Sequence, residues 1–228
     1  MAEGWVVRDG VLILYDAEQV EAPGPEWLQS ATWAATGNVQ AELGGRGQAL
    51  SILTPAGPAV LRRFRRGGLV AALLEDRYLR LGARHSRAVR EFRVLARLRA
   101  HGLPVPTPVV ASYEPAGPFY RAGLITRLIP AARQLAEIAS ELAAKDWLQL
   151  AETLSDFFDA GLIHPDLNAR NILRDAEGRW FVVDLDRAQI KDRPVSGRPM
   201  LARLGRSLNK LGVADWQSGF ERCRRKLR

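Results

Sequence analysis

Cysteine is nearly absent from this sequence: the 228 residues contain one, Cys223. A lone thiol excludes an intrachain disulfide framework and suits a chain of the reducing cytosol. Lysine is scarce as well, and only four of the 33 basic residues are lysines. No apolar run approaches the roughly 20 residues that a membrane-spanning helix needs. The longest near the N-terminus is Val11-Leu12-Ile13-Leu14-Tyr15. The opening Met1-Ala2-Glu3-Gly4 lacks the charged and apolar regions of a signal peptide, so a cytosolic chain is expected. Internal repeats and low-complexity linkers are missing too. What remains is ordinary globular material, 47% hydrophobic and 25% charged. At 25.2 kDa the chain is large enough to bury a core of its own, and its length suits one or two domains.

The net charge of +8 is unevenly placed. Between Arg62 and Arg99 twelve arginines face only Glu75, Asp76 and Glu91, a net of +9. The tail Glu221–Arg228 adds another +4. Such one-sided charge suits nucleic acid, an anionic membrane face or a phosphorylated substrate, whereas its bland counterpart is a solvated helix face. No aromatic-interleaved platform accompanies it, so nucleic acid is not expected as a partner.

Residues 4–16 read as a strand pair, followed by the break Ala22-Pro23-Gly24-Pro25 and a helical patch from Trp27 to Trp33. Gly44-Gly45-Arg46-Gly47 precedes two apolar runs, Ala49–Leu53 and Ala59–Phe64, joined by a Pro/Gly turn; this predicts a glycine-rich turn and a β-hairpin. Val89, Phe92, Leu95, Ala96 and Leu98 predict a long helix, with Ser86 as N-cap and Gly102 beyond its end. After the proline-broken segment Leu103–Pro108, Val109–Tyr113 and Leu124–Ile129 read as strands. The rest is mostly helical: Leu135–Ala144, Trp147–Ala160, and a basic final helix with Leu201, Leu204, Leu208 and Leu211 on one face. An α+β fold of two lobes results, residues 1–130 carrying an antiparallel sheet with one long helix and 131–228 a reduced, mostly helical lobe.

Asp166, Asn171 and Asp184 stand at the exits of short apolar strands, where a rigid scaffold presents functional side chains. The pattern His164-x-Asp166-Leu167-x-x-x-Asn171, followed across a hairpin by Asp184, is that of the catalytic loop and metal-binding Asp of the protein-kinase-like fold. Phosphoryl transfer from ATP needs a carboxylate to take the acceptor's proton and oxygen ligands to hold Mg²⁺ against the phosphates. Asp166 is the candidate base, and Asn171 and Asp184 the metal ligands. Asp186 is a further ligand or a turn acid, and His164 is read as a structural residue of the loop. Upstream, Gly44, Gly45 and Gly47 are candidates to cover the phosphates. Ala59-Val60-Leu61-Arg62 stands where kinases carry Val-Ala-Ile-Lys, with Arg62 as the cation, Arg63 as its alternative, and Glu91 as the partner on the helix. A surface pair of Glu91 with Arg87 is the structural alternative.

Four stretches together resemble the bacterial 3-deoxy-D-manno-octulosonic acid (Kdo) kinases: Leu61–Gly68, Arg90-Glu91-Phe92 with Gly102–Pro106, His164–Leu173 and Asp184–Arg187. The similarity runs from about Gly44 to Leu211. It implies ATP-dependent phosphorylation of the 4-hydroxyl of a Kdo sugar on a lipid A precursor, at the cytoplasmic face of the inner membrane; the basic stretch would then hold a peripheral protein on that anionic surface. It also implies Arg in place of the strand Lys. Asn168, at the position that is Lys in serine/threonine kinases, is a candidate for binding the nucleotide. Asp184-Leu185-Asp186 replaces Asp-Phe-Gly, and only 44 residues follow Asp184, too few for a peptide-binding lobe. Two competing expectations are an aminoglycoside- or choline-type kinase and a pseudokinase acting as a binding module.

Overall fold

The computed structural model describes residues 1–21, 23–43, 49–64, 83–117 and 119–213, together with the backbone of 78–79. Two compact units emerge: Met1–Ala96 with Thr107–Leu128, and Arg97–Pro106 with the chain from Ile129 onward. The segment Arg97–Pro106, drawn from the N-terminal region, therefore belongs to the second unit.

In the first unit β1 (Glu3–Arg8) and β2 (Val11–Asp16) form a hairpin. Its turn is Asp9-Gly10, both at positive φ, the backbone of a twist-matched two-residue loop. β3 (Val39–Leu43), β4 (Ala49–Thr54), β5 (Gly57–Arg63), β6 (Tyr78–Leu79), β7 (Pro108–Ala116) and β8 (Phe119–Arg127) complete an antiparallel sheet of order β1-β2-β7-β8-β5-β4-β3, with β6 paired to β8. Ile13, Ile52, Ala59, Leu61, Val109 and Ile125 pack with Leu28, from the 3-10 turn Pro25–Leu28, and Trp33, from α1 (Ser30–Ala35). β3 has no signal in the sequence, because its three middle residues are all exposed and carry no apolar alternation.

The long helix, α2 (Arg87–Ala100), buries Val89, Phe92, Leu95 and Leu98. Ser86 Oγ accepts the Val89 N–H at its start. At its end Gly102 takes φ +74, and the Gly102 and Leu103 N–H groups return to the Arg99 and Leu98 carbonyls.

From Ile129 onward the second unit carries β9 (Arg133–Gln134), one turn of α3 (Leu135–Ile138) and the 3-10 turn Ala139–Glu141. The expected helix over 135–144 is thus cut short: Leu142 is extended, and a new helix, α4 (Ala144–Asp159), starts where the Asp146 carboxylate accepts the Ala143 N–H. β10 (Leu162–Ile163), β11 (Ile172–Arg174), β12 (Trp180–Val182), β13 (Gln189–Ile190) and α5 (Arg198–Lys210) follow. They make a β10-β13 pair and a β12-β11-β9 sheet. Their core is Trp147, Leu150, Leu154 and Phe157 of α4, Trp180 of β12, and Leu201, Leu204 and Leu208 of α5.

Candidate active site

In the first unit the candidate residues are carried by β5 and α2. Ala59 and Leu61 are buried in the core, and the pleat turns Arg62 to the opposite face. There its guanidinium donates to the Glu91 carboxylate. Glu91 is 2% exposed, and a carboxylate so deeply buried is tolerable only with a cation beside it. Arg62 also lies over the Phe64 ring, 4.8 Å from its centroid. Arg63 instead borders a cleft with Asp9, Ser112, Glu114 and Arg121. Gly44, Gly45 and Gly47, which connect β3 to β4, lie outside the described residues.

In the second unit two loops converge. One runs from β10 to β11 and carries His164, Asp166, Asn168 and Asn171; the other leaves β12 with Asp184 and Asp186. The antiparallel register Ile172–Val182 sets Asn171 opposite Val183, and the Val183 N–H donates to the Asn171 carbonyl at 3.0 Å. Asp184 is therefore one residue beyond the rung that holds Asn171.

His164, 2% exposed, ties the loops together. Its Nδ1 accepts the Asp166 N–H at 3.3 Å, and its Nε2 faces the Val183 carbonyl at 3.2 Å. Those partners require one acceptor and one donor nitrogen, the neutral Nε2–H tautomer. Burial pushes the His164 pKa below the usual histidine value, in keeping with that neutral ring. With both nitrogens engaged, His164 is a strut.

The loop's own polar side chains complete its shape. The Asn171 amide donates to the Asp166 carbonyl at 3.0 Å, which leaves Asn171 Oδ1 as the acceptor end of that amide. Asn168 donates to the same carbonyl and accepts the Arg170 N–H at 2.9 Å, so both ends of its amide shape the loop. Leu167, 1% exposed, anchors the centre. The Asp166 carboxylate remains 62% exposed. Asp184 takes φ +60, the left-handed region sparsely used by non-glycine residues and commonest at functional sites. Leu185, fully buried, pins the chain between Asp184 and Asp186.

The donor set suits a hard cation. Among the described residues no group of three His, Cys, Asp or Glu side chains could hold a metal unaided. One amide oxygen and one or two carboxylates fit Mg²⁺, which keeps its waters and takes the remaining ligands from substrate phosphates.

Helix α5 contributes residues that the sequence reading missed. Met200 Sδ accepts the His164 N–H, Arg203 Nη1 lies 3.4 Å from Asp166 Oδ1, and Ser207 Oγ accepts the Ala169 N–H. Spacings of three and four residues place all three on one helix face. The leucine stripe marks the helix, but periodicity identifies only the face that meets the core.

The large antiparallel sheet, the few helices and the His/Asp/Asn loop followed by a strand-exit Asp define a mixed α/β protein of kinase-like fold. A family model described as the lipopolysaccharide kinase (Kdo/WaaP) family matches residues 30–222, and the chain belongs to that family. It is 37% identical over 224 residues to a 3-deoxy-D-manno-octulosonic acid kinase of Xylella fastidiosa, covering 96% of this chain and 89% of the relative. It is 38% identical over 219 residues to a Stenotrophomonas maltophilia protein of the same name, covering 93% and 88%. A Xanthomonas oryzae pv. oryzae protein, also of that name, is 38% identical over 220 residues, with the same coverage. The protein is an ATP-dependent kinase.

Proposed function

We propose that this kinase transfers the γ-phosphoryl group of ATP to the 4-hydroxyl of a Kdo residue on a lipid A precursor, in lipopolysaccharide core biosynthesis. The observation that carries this reading is the pair of loops joined through His164, one carrying the exposed Asp166 carboxylate and Asn171, the other Asp184. The substrate class rests on the relatives' names. Asp166 accepts the proton of the acceptor hydroxyl as its oxygen attacks the γ-phosphorus and the bond to the bridging oxygen of ADP breaks. Asn171, Asp184 and Asp186 would hold Mg²⁺, which would supply positive charge to neutralise the phosphates. Arg62, fixed by Glu91, binds phosphate oxygens, and its planar guanidinium suits a two-point grip. Gly44, Gly45 and Gly47 are the proposed cover of the phosphates, and Asn168 is the loop residue proposed for the nucleotide.

The same proposal places the protein peripherally on the cytoplasmic face of the inner membrane. Among the described residues no helix is long and apolar enough to cross a membrane. The cluster from Arg62 to Arg99 and the tail Glu221–Arg228 are strongly basic, and each cation near an anionic leaflet contributes on the order of 1 kcal/mol.

The test is ATP turnover by purified protein on a Kdo-bearing lipid A precursor, with kanamycin and choline as competing acceptors. Phosphorylation of the Kdo acceptor alone supports the reading. Preferential transfer to kanamycin or choline, or no transfer with ATP bound, overturns it.

A further inference from the structure

Asp166 and an acidic sugar pose an electrostatic difficulty. The base works only as a carboxylate, and a Kdo unit carries a carboxylate of its own. Two anions brought into one site repel each other, and a cation near both offsets that repulsion.

Helix α5 supplies that cation. Met200 and Ser207 seat the helix against the catalytic loop at His164 and Ala169, and Arg203 stands between them. Arg203 meets Asp166 through a single nitrogen at 3.4 Å, with side-chain exposures of 48% and 62%. So long and exposed a contact contributes little to stability, and it engages one nitrogen of a fork made for paired acceptors. Arg206 and Lys210, exposed and with no ion-pair partner among the described residues, extend the cationic ridge along α5. Asn171 approaches Asp166 at its backbone carbonyl, whereas Arg203 approaches the carboxylate. The carboxylate is the end that must meet the acceptor hydroxyl.

We infer that Arg203 is an acceptor-binding residue: it grips the carboxylate of the acidic sugar and holds the hydroxyl against Asp166, with Arg206 and Lys210 reinforcing the positive field. This rests on the proposed Kdo acceptor and adds the group by which that acceptor is recognised.

Steady-state kinetics on the full chain provide the test, with Arg203→Gln, Arg203→Lys and a control, Lys145→Gln, an exposed lysine of α4. The acceptors are the Kdo-bearing precursor and its analogue with the Kdo carboxylate converted to the amide. Arg203→Gln should raise the KM for the acid acceptor about tenfold or more, the usual consequence of losing a charge-assisted bond. The KM for ATP should stay within about twofold of wild type. Arg203→Lys should recover part of the loss, and Lys145→Gln should show none. The amide should be a poor acceptor for wild type, and Arg203→Gln should weaken it no further. Several results would overturn the inference: a raised KM for ATP, which gives Arg203 to the γ-phosphate; equal loss on acid and amide; or no change at all. Absence of wild-type turnover on either acceptor, with transfer to another, would remove the Kdo reading and this inference with it. Thermal melting of each variant checks folding, and if Arg203→Gln melts early, the acid-to-amide KM ratio of Arg203→Lys decides.

Discussion

The two units hold their functional side chains by different means. In the first, Arg62 rides on β5, a seven-residue strand hydrogen-bonded on both sides, to β4 and β8. Its position is set by main-chain ladders that would survive loss of the side chain. In the second, the strands flanking the loops are two or three residues long, and side chains do the holding: His164, Asn168, Asn171 and Ser207 each bond loop backbone. A single truncation in the first unit should therefore leave the strand in place, although loss of Arg62 strips the buried Glu91 carboxylate of its cation. In the second it should loosen a whole loop.

The largest expected effect is at the base. Asp166→Ala should lower kcat by about 10² to 10⁴-fold, while ATP binding, followed by calorimetry, persists. Loss of nucleotide binding in this variant would mean that the loop positions ATP as well. Next comes the first unit. Arg62→Ala should raise the KM for ATP roughly 10- to 100-fold, the range of a lost bond between charged groups. Arg62→Lys should recover part of it, and Arg63→Ala should leave it near wild type. An Arg63→Ala defect as large as that of Arg62→Ala would shift the role one residue along the strand.

Stability comes third. Gly161 closes α4 at φ +81, and an added Cβ would sit 2.1 Å from the Lys191 carbonyl oxygen. Gly161→Ala should cost at least about 1 to 3 kcal/mol of unfolding free energy, read from urea denaturation. A variant as stable as wild type would show that the chain around Lys191 yields easily.

The smallest effect is in pH. His164 has its pKa lowered by burial, so the native state resists the proton that the unfolded chain accepts. The sign follows: stability is whole above the ordinary histidine value of about 6.5 and declines as pH falls below it toward the folded value. His164→Asn should melt lower than wild type at pH 8 and lose less on acidification. Parallel melting curves from pH 8 to 5 would remove His164 from the acid response.

Legibility follows the same division. The hairpin β4–β5 and the long helix α2 were readable because apolar periodicity and turn residues mark them directly; of the three residues expected at strand exits, Asp184 follows β12, whereas Asn171 precedes β11 and Asp166 lies three residues past β10. β3 escaped because an edge strand with exposed Gln40, Ala41 and Glu42 has no buried face to announce it. Arg203 escaped for another reason. Thirty-seven residues separate it from Asp166, and no spacing rule reaches that far. The helix over 135–144 failed because local periodicity cannot see that the chain must turn into α4.

One feature bears on how this chain tolerates a change of length. The turn after β11 closes on itself: Asp175 receives the Arg179 N–H and its guanidinium, and the Gly178 N–H returns to the Asp175 carbonyl. Ala176 and Glu177, at its tip, face solvent. Extra residues can be accommodated there while the rungs Ile172–Val182 and Leu173–Phe181 stay in place. A single residue inserted between Val182 and Asp184 would act quite differently. It would turn the following side chains to the other face of the strand and carry the carboxylate away from Asn171. Within this one hairpin, the tip is open to growth and the strand end is closed to it.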